Sequence, residues 1–207
     1  RAAQQNQIAS WDPDRASLKE ESAFLPWRLS FYASLLWSHL LPQKNSSYSQ
    51  DHLGWAGTTE LTRDILLRRP PSPTALPWMP RLRIGGYGRM FRPNWQLSPS
   101  AKYNPLTREF GLTAGLAWDG FFLMGNAGYQ DYSAPFSTKH PISTGFKVGF
   151  EKLLRETKST RVFWDFGLHF HHTYADIETA EANAKGVSHA KFRSASYGIL
   201  TGPSLAF

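Results

Sequence analysis

At 207 residues the chain is long enough for one domain with a core of ordinary size, and its formal charge of +7 favours acidic neighbours such as anionic lipid headgroups. No zinc-ligand spacing, helix-turn-helix pattern or basic helix accompanies that charge, so nucleic-acid binding has no support. No apolar run approaches the roughly 20 residues of a transmembrane helix, which excludes a helical membrane protein. A barrel stays open, because alternating strands dilute apolar residues with polar ones and a mean hydropathy of −0.41 is compatible with them.

Residues 1–26 read as an N-terminal segment of their own. Asp12 is placed to cap a short helix with Pro13 at its first position, running from Arg15 to about Phe24 until Pro26 stops it. Such a helix is too short to stand alone in water, so it is expected to lie on the membrane, plug a barrel mouth or dock a partner; an extended segment is the alternative. No signal peptide begins at Arg1, and the expectation is a mature, secreted form.

From residue 27 onward, period-two patterning marks eight segments near 27–41, 52–67, 81–92, 107–118, 121–132, 142–155, 161–174 and 192–207. Most exceed the roughly 9–11 residues that cross a bilayer as a tilted strand. The first alternates Trp27, Leu29, Phe31, Ala33, Leu35 and Trp37 with Arg28, Ser30, Tyr32, Ser34, Leu36 and Ser38. The seventh sets Val162, Trp164, Phe166, Leu168 and Phe170 against Arg161, Phe163, Asp165, Gly167, His169 and His171. Trp27, Trp37, Trp55, Trp118 and Tyr174 fall at segment ends on the apolar face, where interfacial girdles belong.

The connections alternate in length. Asp119-Gly120 is a two-residue hairpin signal and 156–160 is short, whereas 93–106, 133–141 and 175–191 are long. Placing the N-terminus in the periplasm puts the long loops outside. Residues 68–80, with five prolines, break that rule as a long, stiff periplasmic loop.

The last segment carries Gly202, Leu205 and Phe207, an ending that resembles the assembly signal of small eight-stranded bacterial outer-membrane β-barrels. The resemblance covers about 27–207 and is architectural. It implies an all-β fold, an eight-stranded antiparallel transmembrane β-barrel following the 1–26 segment. It further implies an outer-membrane location with both termini periplasmic. Its surroundings would be membrane lipid and lipopolysaccharide, with the barrel assembly machinery as partner during biogenesis. Leu200 and Pro203 depart from the usual pattern of such endings.

The other face of each strand composes the lumen. Arg28, Arg81, Arg83, Arg89 and Lys147 oppose Glu60, Asp64, Glu109, Glu151 and Asp165, joined by Tyr32, Tyr87, Gln130, His169 and His171. Eight strands enclose only enough room for side chains. A balanced set of this kind can satisfy itself through ion pairs, so it reads as a polar plug, with a narrow or gated conduit as the alternative.

Candidate chemistry is sparse. His169 and His171 share a face and could meet one metal ion, but no third ligand is indicated, and hydrogen bonds to Asp165 or Glu109 are the expected state. Ser38 and His39 are adjacent and point to opposite faces, unsuited to a nucleophile and base. The lipid A deacylase pattern fails because Tyr174 stands where a serine is needed after His172. The loop residues of the palmitoyltransferase family find no match. Gly85-Gly86-Tyr87-Gly88 lacks the lysine and following helix of a phosphate loop. No cofactor is implied.

Trp11 and Phe24 in the N-terminal segment, with Leu76, Trp78 and Met79 in the proline-rich loop, are candidate contacts for a periplasmic or outer-membrane protein partner. The leading expectation is therefore an anchor or accessory subunit. A lipid A or phospholipid-modifying enzyme, a narrow channel and an adhesin using the long outer loops are the alternatives; the 175–191 loop lacks large aromatics, which weakens the last.

Overall fold

The computed structural model describes residues 24–42, 52–67, 79–93, 95–98, 101–103, 106–132, 136–157, 159–179 and 191–207. Ten strands lie among them: β1 (Trp27–Pro42), β2 (His52–Leu66), β3 (Arg81–Arg92), β4 (Trp95–Ser98), β5 (Ala101–Tyr103), β6 (Thr107–Trp118), β7 (Phe121–Tyr132), β8 (Phe136–Glu156), β9 (Arg161–Thr179) and β10 (Lys191–Ala206). Eight of these close into an antiparallel barrel in the order β1-β10-β9-β8-β7-β6-β3-β2, and β2 returns to β1. Closure leaves no sheet edge, which is what lets a sheet sit in hydrocarbon.

The eight alternating segments are the eight barrel strands. Their ends away from the chain termini differ from the sequence expectation in two places. Strand β8 begins at Phe136 and β9 runs to Thr179, so residues 136–139 and 175–179 are paired ladder rather than loop. A register shift between Lys139 and Ile142 lets that extension continue past Pro141. The third connection is also not wholly irregular, for β4 and β5 pair as a small ribbon within it. The expected N-terminal helix lies outside the described residues.

Side-chain alternation decides which face is which. Arg28, Ser30, Tyr32, Ser34, Leu36 and Ser38 of β1 point into the lumen, while Trp27, Phe31 and Leu35 stay exposed outside. The same alternation runs around the wall through Leu61, Ile84, Leu112, Leu123, Phe146, Leu168 and Ile199, all at least 39% exposed. In water so continuous an apolar surface would aggregate. Among the described residues, exterior charges are confined to strand ends, such as Arg63 and Lys152 at one end and Arg92, Arg108 and Asp131 at the other. On β6 the uncharged stretch from Phe110 to Trp118 matches the roughly 9–11 residues of a tilted spanning strand. Aromatic rings cluster near both borders, with Trp118 against Phe121 at one and Trp37 stacked on Tyr197 at the other. This is the exterior of a membrane-spanning barrel.

One end of the barrel is the turn end. It holds the β6–β7 turn, in which Asp119 (φ 48°) and Gly120 (φ 77°) both take the left-handed conformation that a two-residue primed hairpin requires. The β8–β9 connection and the meeting of β1 with β10 lie there too. Trp27 and Phe207 exchange a pair of backbone hydrogen bonds (3.0 and 2.9 Å) that ties the two strands together. Pairing of β1 with β10 runs from Arg28–Ala206 to Ser30–Ser204 and resumes at Ala33–Thr201 in the same register. The gap lies opposite Gly202 and Pro203, where Pro203 has no amide hydrogen to give.

Candidate functional site in the barrel lumen

A chain that crosses a membrane as alternating strands must put every second side chain inside, and here those positions hold ionisable groups. They form three layers along the lumen. The layer nearest the turn end joins six strands. Arg28 on β1 donates through Nη2 to both Asp165 oxygens on β9 (2.7 and 3.0 Å) and to the Ser204 hydroxyl on β10, while its Nη1 lies 3.2 Å from Glu151 on β8. Arg83 on β3 grips Asp64 on β2 with two parallel bonds (2.7 and 3.0 Å) and donates to Glu151 as well. Arg81 reaches the same two carboxylates, 2.8 Å to Asp64 and 2.9 Å to Glu151. Three cations thus share three anions, and forked guanidinium geometry makes the sharing possible. The Phe163 ring covers the Arg28 guanidinium at 4.4 Å.

Strands β6 and β7 bring no charge to this layer. Ala117, Phe122 and Met124 instead pack with Tyr32 and Leu200 as an apolar filler across the lumen. The middle layer is an ion pair between Lys147 on β8 and Glu60 on β2, with the ammonium 4.6 Å from the Tyr32 ring. Tyr32 links the layers, since its hydroxyl donates to Asp165 (3.0 Å).

The layer toward the loop end centres on Glu109, which is fully buried. Its Oε1 accepts from the Tyr87 hydroxyl, the Ser143 hydroxyl (2.8 Å) and His171 Nε2 (2.9 Å), and Oε2 accepts from the Gln130 amide (3.1 Å). Tyr132 in turn donates to Gln130 (2.5 Å). A carboxylate held by four donors from four other strands is satisfied without an ion pair. Tyr87→Phe removes one of those donors from a site closed to water. It is expected to lower unfolding stability by about 1–3 kcal/mol in urea titration of the detergent-solubilised barrel.

Among the described residues, a cavity lies on each side of the layer nearest the turn end. The mouth at the turn end encloses about 330 Å³, walled by Phe24, Leu25, Leu66 and Phe163 over a floor of Arg28 and Glu151. An inner cavity of about 40 Å³ lies deeper, bordered by Tyr32, Lys147, Arg89 and His169. Arg28, Asp165 and Tyr32 stand between the two.

All eleven lumen residues singled out in the sequence, Arg28, Glu60, Asp64, Arg83, Arg89, Glu109, Lys147, Glu151, Asp165, His169 and His171, sit inside the barrel. Hydrogen bonding divides the histidines. His171 engages Glu109, whereas the Nε2 of His169 has no hydrogen-bond partner among the described residues, and Asp165 serves Arg28 and Tyr32 instead. No group of three or more metal-ligating side chains occurs among the described residues. The sequence reading passed over Ser204, Ser143, Phe122 and Met124; their parity with Leu200, Lys147 and Gln130 on the same strands was the available signal. Of the candidate partner contacts, Phe24 lines the mouth and Met79 is buried, while Trp11, Leu76 and Trp78 lie outside the described residues. Gly202 and Leu205 lie on the closing strand, with Gly202 inside, and Phe207 directly follows it.

No protein-family model matches the sequence, and no curated protein does. Among solved structures, the chain is similar to outer membrane protein AlkL, determined by solid-state NMR in DMPC bilayers, at 12% identity over 88% of this chain and 90% of that one, with a TM-score of 0.47. It is also similar to outer membrane protein OprG from Pseudomonas aeruginosa, at 11% identity over 87% and 95% of the two chains, with a TM-score of 0.42. The resemblance is to small outer-membrane β-barrels as a group, not to one family within it.

Proposed function

We propose that the protein is a bacterial outer-membrane barrel, turn end toward the periplasm, whose lumen is a narrow conduit for water-sized solutes and ions, held shut by the Arg28–Asp165–Glu151–Arg83 layer. The observation that supports this reading is the pair of cavities on either side of that layer, each bordered by charged side chains. Ion pairs between forked guanidinium groups and carboxylates can exchange partners, and Glu151 already faces three cations. Such a layer can part without unfolding the wall. Planar-bilayer recording tests it. The wild-type barrel is expected to show brief, small openings, and Glu151→Gln, which keeps the shape and removes the charge, is expected to lengthen them. Silence from both proteins would end the conduit reading.

A second reading, a membrane anchor for a protein partner, is favoured by the apolar walls of the mouth, where Phe24, Leu25, Leu66, Leu153 and Phe163 surround open space at the end of β2. Deleting 71–79 while barrel assembly is retained should then abolish co-purification of the partner. Unaltered co-purification would remove this reading.

A further inference from the structure

The inner cavity holds a cation that the lumen network leaves aside. Arg89 on β3 is 7% exposed, so it is as buried as the ion-paired arginines. Arg28, Arg81 and Arg83 each meet carboxylates, but the Nη2 of Arg89 has no hydrogen-bond partner among the described residues. Glu109 acts on it electrostatically, yet the oxygens of Glu109 are occupied by Tyr87, Ser143, His171 and Gln130. Glu60, the other carboxylate at this level, is held by Lys147. The Phe91 ring, 4.8 Å from the Arg89 guanidinium, covers one face of it but accepts no full hydrogen bond.

A second nitrogen, a donor in the Nε2–H tautomer, opens on the same space. His169 Nε2 borders the cavity and is also without a hydrogen-bond partner among the described residues. A cavity of about 40 Å³ has room for roughly three water-sized occupants at about 10–15 Å³ each. Water alone would satisfy the hydrogen bonds of these groups but not the charge. Glu109 balances Arg89 only from behind its own four donors, and the cavity lining itself sets Arg89 and Lys147 against Glu60 alone, so a small anion in contact with the guanidinium meets an excess of positive charge.

We propose that the inner cavity is a binding site for a single halide-sized anion, held by Arg89 Nη2 and His169 Nε2. The site depends on the lumen geometry alone and stands whether or not the barrel conducts. Two unpartnered nitrogens suit a single spherical ion better than sulfate, whose four oxygens would need more donors than they offer.

Anomalous diffraction from crystals of the full chain soaked in sodium bromide tests the site directly. A bromide peak within hydrogen-bonding distance of Arg89 and His169 is expected. Its absence from the wild type, or its persistence in Arg89→Gln, would overturn the proposal. Should Arg89→Gln fail to fold, as judged by the mobility shift between boiled and unboiled samples, the wild type alone decides. Chloride and bromide should raise its melting temperature by roughly 3–5 °C per tenfold increase above the dissociation constant, while sulfate and gluconate at equal ionic strength should not. Equal shifts from all four salts would refute the site.

Discussion

Glu151→Ala is expected to lower the unfolding free energy by about 3–5 kcal/mol, the range for removing one partner of a buried ion pair. Glu151 accepts from Arg83 and Arg81 and lies 3.2 Å from Arg28, so its loss leaves three cations sharing Asp64 and Asp165. The excess positive charge sits where side chains are no more than 12% exposed and water screens little. Urea unfolding in detergent, followed by tryptophan fluorescence, measures the loss. Glu151→Leu combined with Arg83→Met should be milder than Glu151→Ala alone, because a neutral apolar pair of similar volume removes the stranded charge along with its partner. A double variant as unstable as the single one would show that packing, and not charge, governs this layer.

Gly202→Ala is expected to impair closure of the barrel. A Cβ at this position would stand 1.9 Å from the Phe31 carbonyl oxygen and 3.1 Å from Tyr32 Cα, all backbone atoms that cannot step aside. The clash falls on the seam between β1 and β10, where pairing already pauses opposite Pro203. A loss of at least 1–3 kcal/mol, roughly the cost of overpacking, should appear as a reduced yield of heat-resistant barrel on refolding into lipid. Gly57→Ala is the control. A Cβ there meets nothing within 4 Å and faces outward, so stability should stay within about 0.5 kcal/mol of wild type. Equal behaviour of the two variants would remove close strand approach as the reason for glycine at 202.

These two positions differ in how far they could be read beforehand. Glu151 was assigned to the lumen from parity on its strand, because a spanning strand has only two faces and one of them must be apolar. That rule also gathered Arg28, Asp64, Arg83 and Asp165 into one interior without any knowledge of contacts. Gly202 was picked out as part of a terminal pattern, and only the structure places its hydrogen against the Phe31 carbonyl. Strand ends were harder to read. The extensions of β8 and β9 beyond residues 142 and 174 lack a clean alternation, and Pro141 disguises the first of them as a loop. The β4–β5 ribbon is likewise too short for a periodic signal.

The pairing pattern within the lumen was out of reach of the sequence for a different reason. Parity says that a side chain points inward, but not how high it sits or what it faces across the barrel. Those follow from strand tilt and register, set jointly by all eight strands on closure. Hence His169 and His171, two residues apart on one face, end in different situations: both border the inner cavity, but His171 donates to Glu109 whereas His169 Nε2 has no hydrogen-bond partner among the described residues. The cations Arg83 and Arg89, six residues apart on β3, likewise end in an ion-pair layer and beside an open space. Period-two alternation, joined to aromatic residues at segment ends, alternating loop lengths and the terminal pattern, indicated a membrane barrel with a charged interior, because these independent signs agree on one architecture. Tertiary structure decided which charges neutralise one another and which are left to bind, because that depends on distances across the lumen, which closure of the wall creates.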